Sequence, residues 1–234
     1  MVRFGSYADD FAKDAAMAAH DSAALPIPEV LEVGDGSAGP FCLSVRATGV
    51  PLDQLDESGM RRVLPALLDA LDALRDIDVP GSQGFGIWRP DGIAPYPTWS
   101  DALLAVAEDE PGNRIHGWRR SLDRDPTAAA AFDDALHELG RLVDQLGAVE
   151  RRIVHGDLLS FWWTWYQAWA VIDIRAELEA HLAATGELPE DLDLRMRCYL
   201  IHIGLDGLGY NAFKERWDDV RAIATRTLGF VNAR

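Results

Sequence analysis

Apolar and polar residues alternate in two short segments near the start of the chain. Residues 29–33 alternate as a half-buried strand does, and residues 41–45 predict the returning strand of a hairpin. The Gly–Asp–Gly–Ser sequence at 34–37 would form the turn between them. Before this hairpin an Ala-rich segment, residues 7–20, predicts a short helix, which the prolines within residues 25–28 would end.

Helical spacing of apolar residues dominates the chain after residue 50. One predicted helix has its apolar residues at Met60, Val63, Leu64, Leu67, Leu71 and Leu74, and a second at Phe132, Leu136, Leu139, Val143 and Leu146. Three further helical candidates are residues 161–183, 192–214 and 217–228. Residues 81–97 are rich in Gly and Pro and predict an irregular loop, after which Thr98 or Ser100 would cap a helix that begins near Trp99.

The order of these elements predicts an α+β fold in two parts. A small β-containing part would occupy residues 1–48, and a larger, mainly helical part would occupy residues 49–234. The border is expected near residues 46–49, where the alternating pattern gives way to helical spacing. A chain of 234 residues is long enough for one large domain, or for a domain with a small additional lobe.

The formal net charge of −16 restricts the classes of partner. A chain this acidic repels phosphate backbones, so nucleic acid is not expected as a partner. Its summed field would attract cationic small molecules, although solubility alone also accounts for an acidic composition.

The cysteines and the apolar segments indicate in which cellular compartment the protein is located. Cys42 and Cys198 are far apart and lack neighbours at metal-binding spacing, so we expect two free thiols in a reducing environment. The first residues contain no apolar core of the kind found in a signal peptide. The most apolar stretch, residues 161–174, is shorter than the roughly 20 residues that span a bilayer. We therefore predict a cytoplasmic protein that does not enter the membrane.

The segment Ile153–Val154–His155–Gly156–Asp157 carries the clearest chemical signal. Two β-branched residues predict a short strand that leads into a His–Gly–Asp turn. A carboxylate in such a loop is placed to face a substrate. In kinase-type phosphoryl transfer, a loop aspartate accepts or orients the proton of the attacking hydroxyl. Asp157 is the candidate for this role.

With this motif, several segments make the chain resemble the aminoglycoside phosphotransferase family. The segments are residues 23–31 (AALPIPEVL), 46–50 (RATGV), 84–86 (GFG), 96–99 (YPTW) and 203–206 (IGLD). The likeness extends from the first residues to about residue 225, with two gaps. The first is the N-terminal β-hairpin with which family members cover the nucleotide phosphates, and which this sequence does not show. It implies a truncated protein-kinase-like fold in which residues 1–48 are the remnant of a nucleotide-binding lobe. The implied reaction moves the γ-phosphate of ATP to a hydroxyl of an aminoglycoside or similar cationic small molecule, with Mg²⁺ as the needed ion.

The resemblance also implies roles for residues near the start of the chain. Arg3, on a strand formed by residues 2–4, would contact the nucleotide phosphates; a solvated terminal arginine is the alternative. Asp14 would pair with Arg3, or would be a solvated helix charge. The backbone of Ser44, Val45 and Arg46 would meet adenine, or would be a plain strand end.

Around the motif, His155 would fix the catalytic loop through a hydrogen bond rather than move protons. Trp162 and Trp165 would line a sugar pocket, or would pack in a core. Glu177 and Asp206 would hold the cationic substrate, or would be solvated helix charges.

The second gap in the resemblance follows Asp157. Family members have a metal-binding asparagine five residues after this aspartate, and a second metal-binding aspartate beyond a hairpin. Trp162 stands at the first of these positions, and Asp173, within Val171–Ile174, is the one candidate for the second. If the hairpin and both ligands are deleted, activity would be weak or absent. The chain would then be a binding module for a cationic small molecule or a protein partner. A deleted hairpin would also leave a strand edge open to homodimer formation.

Overall fold

The computed structural model describes residues 1–78, 81–154 and 171–233. The chain forms two compact units. Unit 1 comprises Met1–Pro95 and Arg151–Glu187, and unit 2 comprises Tyr96–Glu150 and Leu188–Arg234. The predicted border at residues 48/49 separates a nucleotide-binding lobe from a helical lobe, whereas these units are defined by how compactly the chain packs. The predicted border therefore stays a prediction.

Three strands and eight helices are present among the described residues. The strands are β1 Val2–Phe4, β2 Val30–Gly36 and β3 Gly39–Ser44. The helices are α1 Ala8–Ala18, α2 Glu57–Arg75, α3 Trp99–Leu104, α4 Trp118–Leu122, α5 Pro126–Val143, α6 Ile174–Thr185, α7 Leu192–Phe213 and α8 Trp217–Asn232. Single 3₁₀ turns cover Leu52–Gln54 and Ala105–Ala107. The small sheet with a mainly helical remainder confirms the predicted fold class.

The sheet of unit 1 is antiparallel, with the strand order β1-β3-β2. The predicted turn at residues 34–37 is wrong in position, because Gly34 and Gly36 belong to β2 and only residues 37 and 38 connect the strands. Gly34 lies opposite Phe41, and a Cβ at Gly34 would be 2.7 Å from the Phe41 ring. The glycine therefore makes room for a cross-strand aromatic ring.

The rest of unit 1 contains α1, α2 and α6. The side chain of Asp56 accepts a hydrogen bond from the Gly59 N–H at 2.7 Å and so caps α2. Met60 and Leu64 on α2 form a small buried cluster with Ile172, just before α6. Polar contacts extend this attachment: Nε2 of His181 donates to the Asp72 carboxylate at 2.7 Å, and Arg75 contacts Glu187 at 2.5 Å.

Most of the predicted helices are confirmed, and the misses have local causes. Thr98 caps α3, since its hydroxyl accepts from the Asp101 N–H at 3.0 Å. The five residues of α4 were not predicted, because one turn is too short to show a helical period. Of the predicted helix 161–183, residues 161–170 lie outside the described part, and the chain becomes helical only at Ile174. A short strand was predicted at residues 153 and 154, but the structure has none there. A strand of two residues needs a paired neighbour to be stable.

The core of unit 2 is built from α4, α5, α7 and α8. Trp118 of α4 packs against Phe132 of α5 with ring centroids 5.0 Å apart, and both side chains are buried. Leu139, Ile201 and the other buried apolar residues of this cluster lie between the long helices. For α5, the helical spacing in the sequence predicted the buried face correctly, since Phe132, Leu139 and Val143 are buried.

Both cysteines are free, as predicted, and both are buried. Burial raises the pKa of the Cys198 thiol to about 11, so this side chain is protonated and unreactive at neutral pH. None of the helices in the described part of the chain is both long and apolar enough to cross a bilayer.

Helices α7 and α8 approach closely at Gly204. A Cβ at Gly204 would lie 2.8 Å from Cγ2 and 3.0 Å from Cβ of Thr227, which is fully buried on α8. The Thr227 hydroxyl is itself held by a hydrogen bond to the Ile223 carbonyl at 2.8 Å. Neither partner has space to move aside, so only glycine is accommodated at this contact.

We expect Gly204→Ala to lower the free energy of unfolding by about 1–2 kcal/mol, since overpacking outweighs the gain in helix propensity. Thermal or urea unfolding would measure the change. Gly140→Ala is the matched control, because a Cβ at Gly140 on α5 would lie in open space. It should be neutral or stabilising by up to about 1 kcal/mol. Equal effects of the two substitutions would contradict the prediction.

The loop between α3 and α4 is organised by Asp109. Its carboxylate accepts hydrogen bonds from the N–H groups of Gly117 at 2.5 Å and Arg119 at 3.0 Å. Burial opposes ionisation of Asp109, but these two donors and the nearby His116 outweigh it and hold its pKa below the ordinary value. The ionised carboxylate therefore stabilises the start of α4.

Asp109→Asn should reduce stability at pH 7 by about 1–2 kcal/mol, the usual value of hydrogen bonds to a charged group. Because the folded-state pKa is lowered, this contribution is fully present above about pH 4 and is lost as the pH falls through the folded-state pKa. Unfolding curves of the wild type and the variant would converge at low pH. A difference that persists unchanged to about pH 2 would contradict this assignment.

Candidate functional site

Four of the predicted site residues lie outside the described part of the chain. They are His155, Asp157, Trp162 and Trp165. The other predicted site residues are described, and so are the residues that lead into the His–Gly–Asp segment.

Two arginines fix the chain just before the motif. Arg151 donates from Nη1 to the Ser82 hydroxyl and from Nη2 to the Ser82 carbonyl, each at 2.7 Å. Arg152 donates to the carbonyl of Arg75 at the end of α2, at 3.3 Å. These contacts attach residues 151 and 152 to the Gly/Pro-rich loop and to α2. No local sequence pattern indicates this anchoring, because the partners lie about 70 positions away.

Arg3 of β1 is held by three neighbours. Its Nη2 donates to the Asp14 carboxylate at 2.6 Å and lies 3.6 Å from Sγ of Cys42. The guanidinium is also 5.7 Å from the centre of the Phe11 ring. Burial lowers the pKa of Arg3, but Cys42 and Asp14 outweigh it, and the group stays charged. Of the two alternatives for Asp14, the pairing with Arg3 is the one observed.

In the predicted adenine-contacting segment, some backbone groups are already hydrogen-bonded to neighbouring strands or segments. The N–H of Ser44 donates to the Met1 carbonyl at 2.9 Å, and its carbonyl accepts from the Met1 amino group at 2.5 Å. The N–H of Val45 donates to the Glu29 carbonyl at 2.9 Å. The side chain of Ser44 is buried, whereas Val45 and Arg46 are exposed. The N–H groups of Ser44 and Val45 and the carbonyl of Ser44 therefore already have partners within the sheet.

The start of α6 carries the metal and substrate candidates of unit 1. Asp173 caps this helix, since its Oδ1 accepts from the Ala176 N–H at 3.1 Å. Glu177 accepts a hydrogen bond from Arg61 of α2 at 3.3 Å. Within the described residues no three His, Cys, Asp or Glu side chains form a group that could hold a metal ion. The described residues alone thus do not supply a ligand set for Mg²⁺, which takes about six oxygens in octahedral geometry.

Asp206 lies on α7 in unit 2. One turn earlier on the same face is His202, whose Nδ1 is 2.8 Å from the Leu103 carbonyl. Tyr199 is the next residue on this face, and its ring packs against Trp99 of α3 with centroids 5.4 Å apart. Asp206 was predicted as a substrate contact, whereas His202 was not predicted as a site residue. The spacing of four positions on a helix was the available signal.

A surface depression of about 420 Å³ lies elsewhere on unit 2, beside α3. Tyr96 and Glu108 are among its lining residues, and the Tyr96 hydroxyl donates to Glu108 at 2.9 Å. Burial and Glu108 raise the pKa of Tyr96 to about 12. Of the predicted site residues that the structure describes, none lines this depression.

The chain is similar to known phosphotransferases in sequence and in structure. No family model matches it. It is 38% identical over 162 residues to the hygromycin-B 4-O-kinase of Escherichia coli, an alignment that covers 68% of this chain and 46% of the relative. The chain therefore spans about half the length of this relative.

The crystal structure of aminoglycoside phosphotransferase APH(4)-Ia superimposes with a TM-score of 0.82, at 28% identity, over 100% of this chain and 86% of that one. A thermostable mutant of the same enzyme, in a ternary complex with AMP-PNP and hygromycin B, gives a TM-score of 0.80 at 28% identity, covering 98% and 85% of the two chains. This chain belongs to the aminoglycoside phosphotransferase family. Its fold is the kinase-like fold of that family, as predicted, and among family members it is close to the hygromycin phosphotransferases.

Replacement of Arg151 by lysine should loosen the segment that enters the His–Gly–Asp motif. Lysine has a single ammonium group and cannot reproduce the two parallel hydrogen bonds to Ser82. We expect amide hydrogen exchange in residues 81–94 to accelerate about fivefold or more, since a local opening then costs less free energy. Arg62→Lys, on the exposed face of α2, is the matched control and should leave this exchange unchanged. Identical exchange in both variants would contradict a positioning role for Arg151.

Proposed function

We propose that this protein is an ATP-dependent phosphotransferase that acts on a hydroxyl group of an aminoglycoside of the hygromycin class. The reaction would transfer the γ-phosphate of ATP and release ADP. The observation that carries this proposal is the His155–Gly156–Asp157 segment in a chain with the fold of APH(4)-Ia. Structures of that enzyme hold AMP-PNP or ADP together with hygromycin B. A cytoplasmic location follows as part of the same proposal.

In this proposal Asp157 accepts or orients the proton of the attacking hydroxyl, and His155 holds the loop. Arg3 contributes a charged guanidinium for the nucleotide phosphates; to do so it would share that group with Asp14, which it contacts at 2.6 Å. Exposed backbone groups of Val45 and Arg46 would meet adenine. Glu177 and Asp206 would attract the ammonium groups of the substrate, with Trp162 and Trp165 against its sugar rings.

Mg²⁺ would supply electrostatic stabilisation of the phosphates when bound. Asp173 is the proposed ligand of this chain, with the oxygen that does not cap α6. Since Trp162 occupies the position of the family's asparagine, we propose that turnover is slow compared with that of family members that have the asparagine. A missing ligand removes part of the stabilisation that dominates phosphoryl transfer.

An assay of ATP turnover with hygromycin B tests the proposal. We expect ADP release that depends on the antibiotic, and a product whose mass is increased by one phosphate group. Asp157→Asn should reduce this activity by about 10²-fold or more, the usual contribution of a general base. Asp134→Asn removes the same charge from the exposed surface of α5 and serves as the control. An Asp157→Asn variant that is as active as the wild type would refute the assignment of Asp157.

A catalytically inactive binding module is the second candidate. Trp162 at the ligand position and the net charge of −16 favour it, since a negatively charged protein can hold a cationic molecule without turning it over. Calorimetry separates the two functions. Tight binding of hygromycin B, with no phosphorylated product in Mg-ATP, would support the binding module and count against the kinase.

A further inference from the structure

The turn between α7 and α8 carries exposed aromatic and charged side chains close together. We call this set the turn patch, and its members are Tyr210, Phe213, Lys214, Arg216, Asp218 and Asp219. The two aromatic members leave 40% and 36% of their surface exposed, and the four charged members are exposed as well. Aromatic surface and both signs of charge therefore meet at one place on unit 2.

The backbone of this turn is fixed by hydrogen bonds. Glu215 has a φ of 56°, in the left-handed region that normally favours glycine. Its N–H donates to the Ala212 carbonyl at 3.1 Å, and the N–H of Arg216 donates to the Asn211 carbonyl at 2.9 Å. These are the two hydrogen bonds of a Schellman turn, and Arg124 contacts the Glu215 carboxylate at 2.5 Å. The residues on either side of Glu215 are therefore presented in a defined direction.

The two cations of the turn patch lie against its aromatic rings. Nζ of Lys214 is 5.8 Å from the centre of the Tyr210 ring and 5.4 Å from that of Phe213. The Arg216 guanidinium is 5.8 Å from the centre of the Tyr210 ring. Within the described part of the chain, neither cation has a carboxylate at ion-pair distance. The rings order both side chains, while their charges remain available to a carboxylate of another molecule.

The two carboxylates of the turn patch are available in the same way. The Asp218 side chain is fully exposed, and its contact with Arg221 is long, at 3.5 Å. A contact of this kind between exposed charges contributes little. For Asp219 the described residues provide no cation. The turn patch thus holds two positive and two negative groups that do not neutralise each other within the chain.

A surface of this composition is complementary to itself. In an isologous dimer the same surface of both copies meets across a twofold axis, so each contact between two different residues occurs twice. The cations of each copy can then face the carboxylates of the other, with the aromatic rings between them. Aromatic residues and arginine are also enriched at the centre of protein interfaces.

The charges favour a second copy over an unrelated acidic partner. An acidic partner would satisfy Lys214 and Arg216 but would bring like charge against Asp218 and Asp219, whereas a second copy satisfies all four. The net charge of −16 opposes association at long range. Salt screens this repulsion beyond about 8 Å at physiological ionic strength, and it screens charges in contact much less. The local pairing therefore decides whether two copies associate.

We propose that the turn patch is a docking surface through which two copies of this chain associate across a twofold axis. Lys214 and Arg216 of each copy face Asp218 and Asp219 of the other. The six residues of the patch are fewer than the roughly 20 to 30 residues per side of a standard interface, so the dimer is weak and reversible. The homodimer predicted from the sequence would pair strand edges, whereas this one uses helices of unit 2.

Sedimentation velocity of the full chain between about 10 and 500 µM tests the association. We expect the mean mass of the wild type to rise toward that of a dimer. Arg216→Glu should weaken the association about 10-fold or more, because it places like charges opposite each other. Arg62→Glu makes the same change on the exposed face of α2 and should behave as the wild type does. A wild type that stays monomeric at the highest concentration would overturn the inference.

An exchange of charges between copies then tests the pairing. One variant carries Lys214→Glu and Arg216→Glu, and a second variant carries Asp218→Lys and Asp219→Lys. Each variant alone should stay monomeric, since like charges then face each other. An equimolar mixture should associate at least as well as the wild type, because every pair again joins opposite charges. Thermal unfolding verifies that each variant is folded.

The remaining outcomes count against the inference. Variants that both dimerise alone would place the interface elsewhere, such as at a strand edge. A mixture that stays monomeric would refute the pairing of the charges. Binding of poly-glutamate by a wild type that does not self-associate would assign the turn patch to an acidic partner instead. No measurement here uses ATP or an aminoglycoside, so the inference and the proposed function can fail separately.

Discussion

The contact between α7 and α8 at Gly204 is the constraint on which unit 2 depends. The two backbones approach so closely that the fully buried Thr227 fills the space a side chain at 204 would occupy. This approach brings the buried faces of α7 and α8 together around one apolar core with α4 and α5. It also fixes the rotation of α7 about its axis. Because side chains on a helix have a set angular spacing, that rotation decides where Tyr199, His202 and Asp206 point.

Charged and polar contacts connect the described segments of unit 1. Its buried apolar cluster around α2 is small, and α6 is attached to α2 by contacts such as His181 with Asp72 and Arg61 with Glu177. Exposed ion pairs contribute little individually. Here they mainly position segments relative to each other, since each contact joins residues that are far apart in the chain. The double hydrogen bond from Arg151 to Ser82 does the same for the residues that enter the His–Gly–Asp segment.

Local sequence patterns predicted the regular elements where burial on one face repeats over several turns. The helices α2 and α5 follow from apolar residues three and four positions apart, and the β2–β3 hairpin follows from alternation. The errors occurred where a distant or opposite partner decides the conformation. Gly34 and Gly36 have turn chemistry, but Phe41 across the hairpin keeps them in a strand. The assignment of Asp173 as a metal ligand stays a prediction, and in the structure one oxygen of its side chain caps α6.

The sequence by itself determined the family, the fold class and the candidate residue for chemistry, Asp157. These follow from the order of motifs along the chain and from periodic burial, which are local properties. Only the tertiary structure decided which partner each polar side chain has: Asp14 for Arg3, Arg61 for Glu177, and the Leu103 carbonyl for His202. The physical reason is that pairing depends on distances between residues far apart in the sequence. Those distances are set when the helices pack, and no local pattern encodes them.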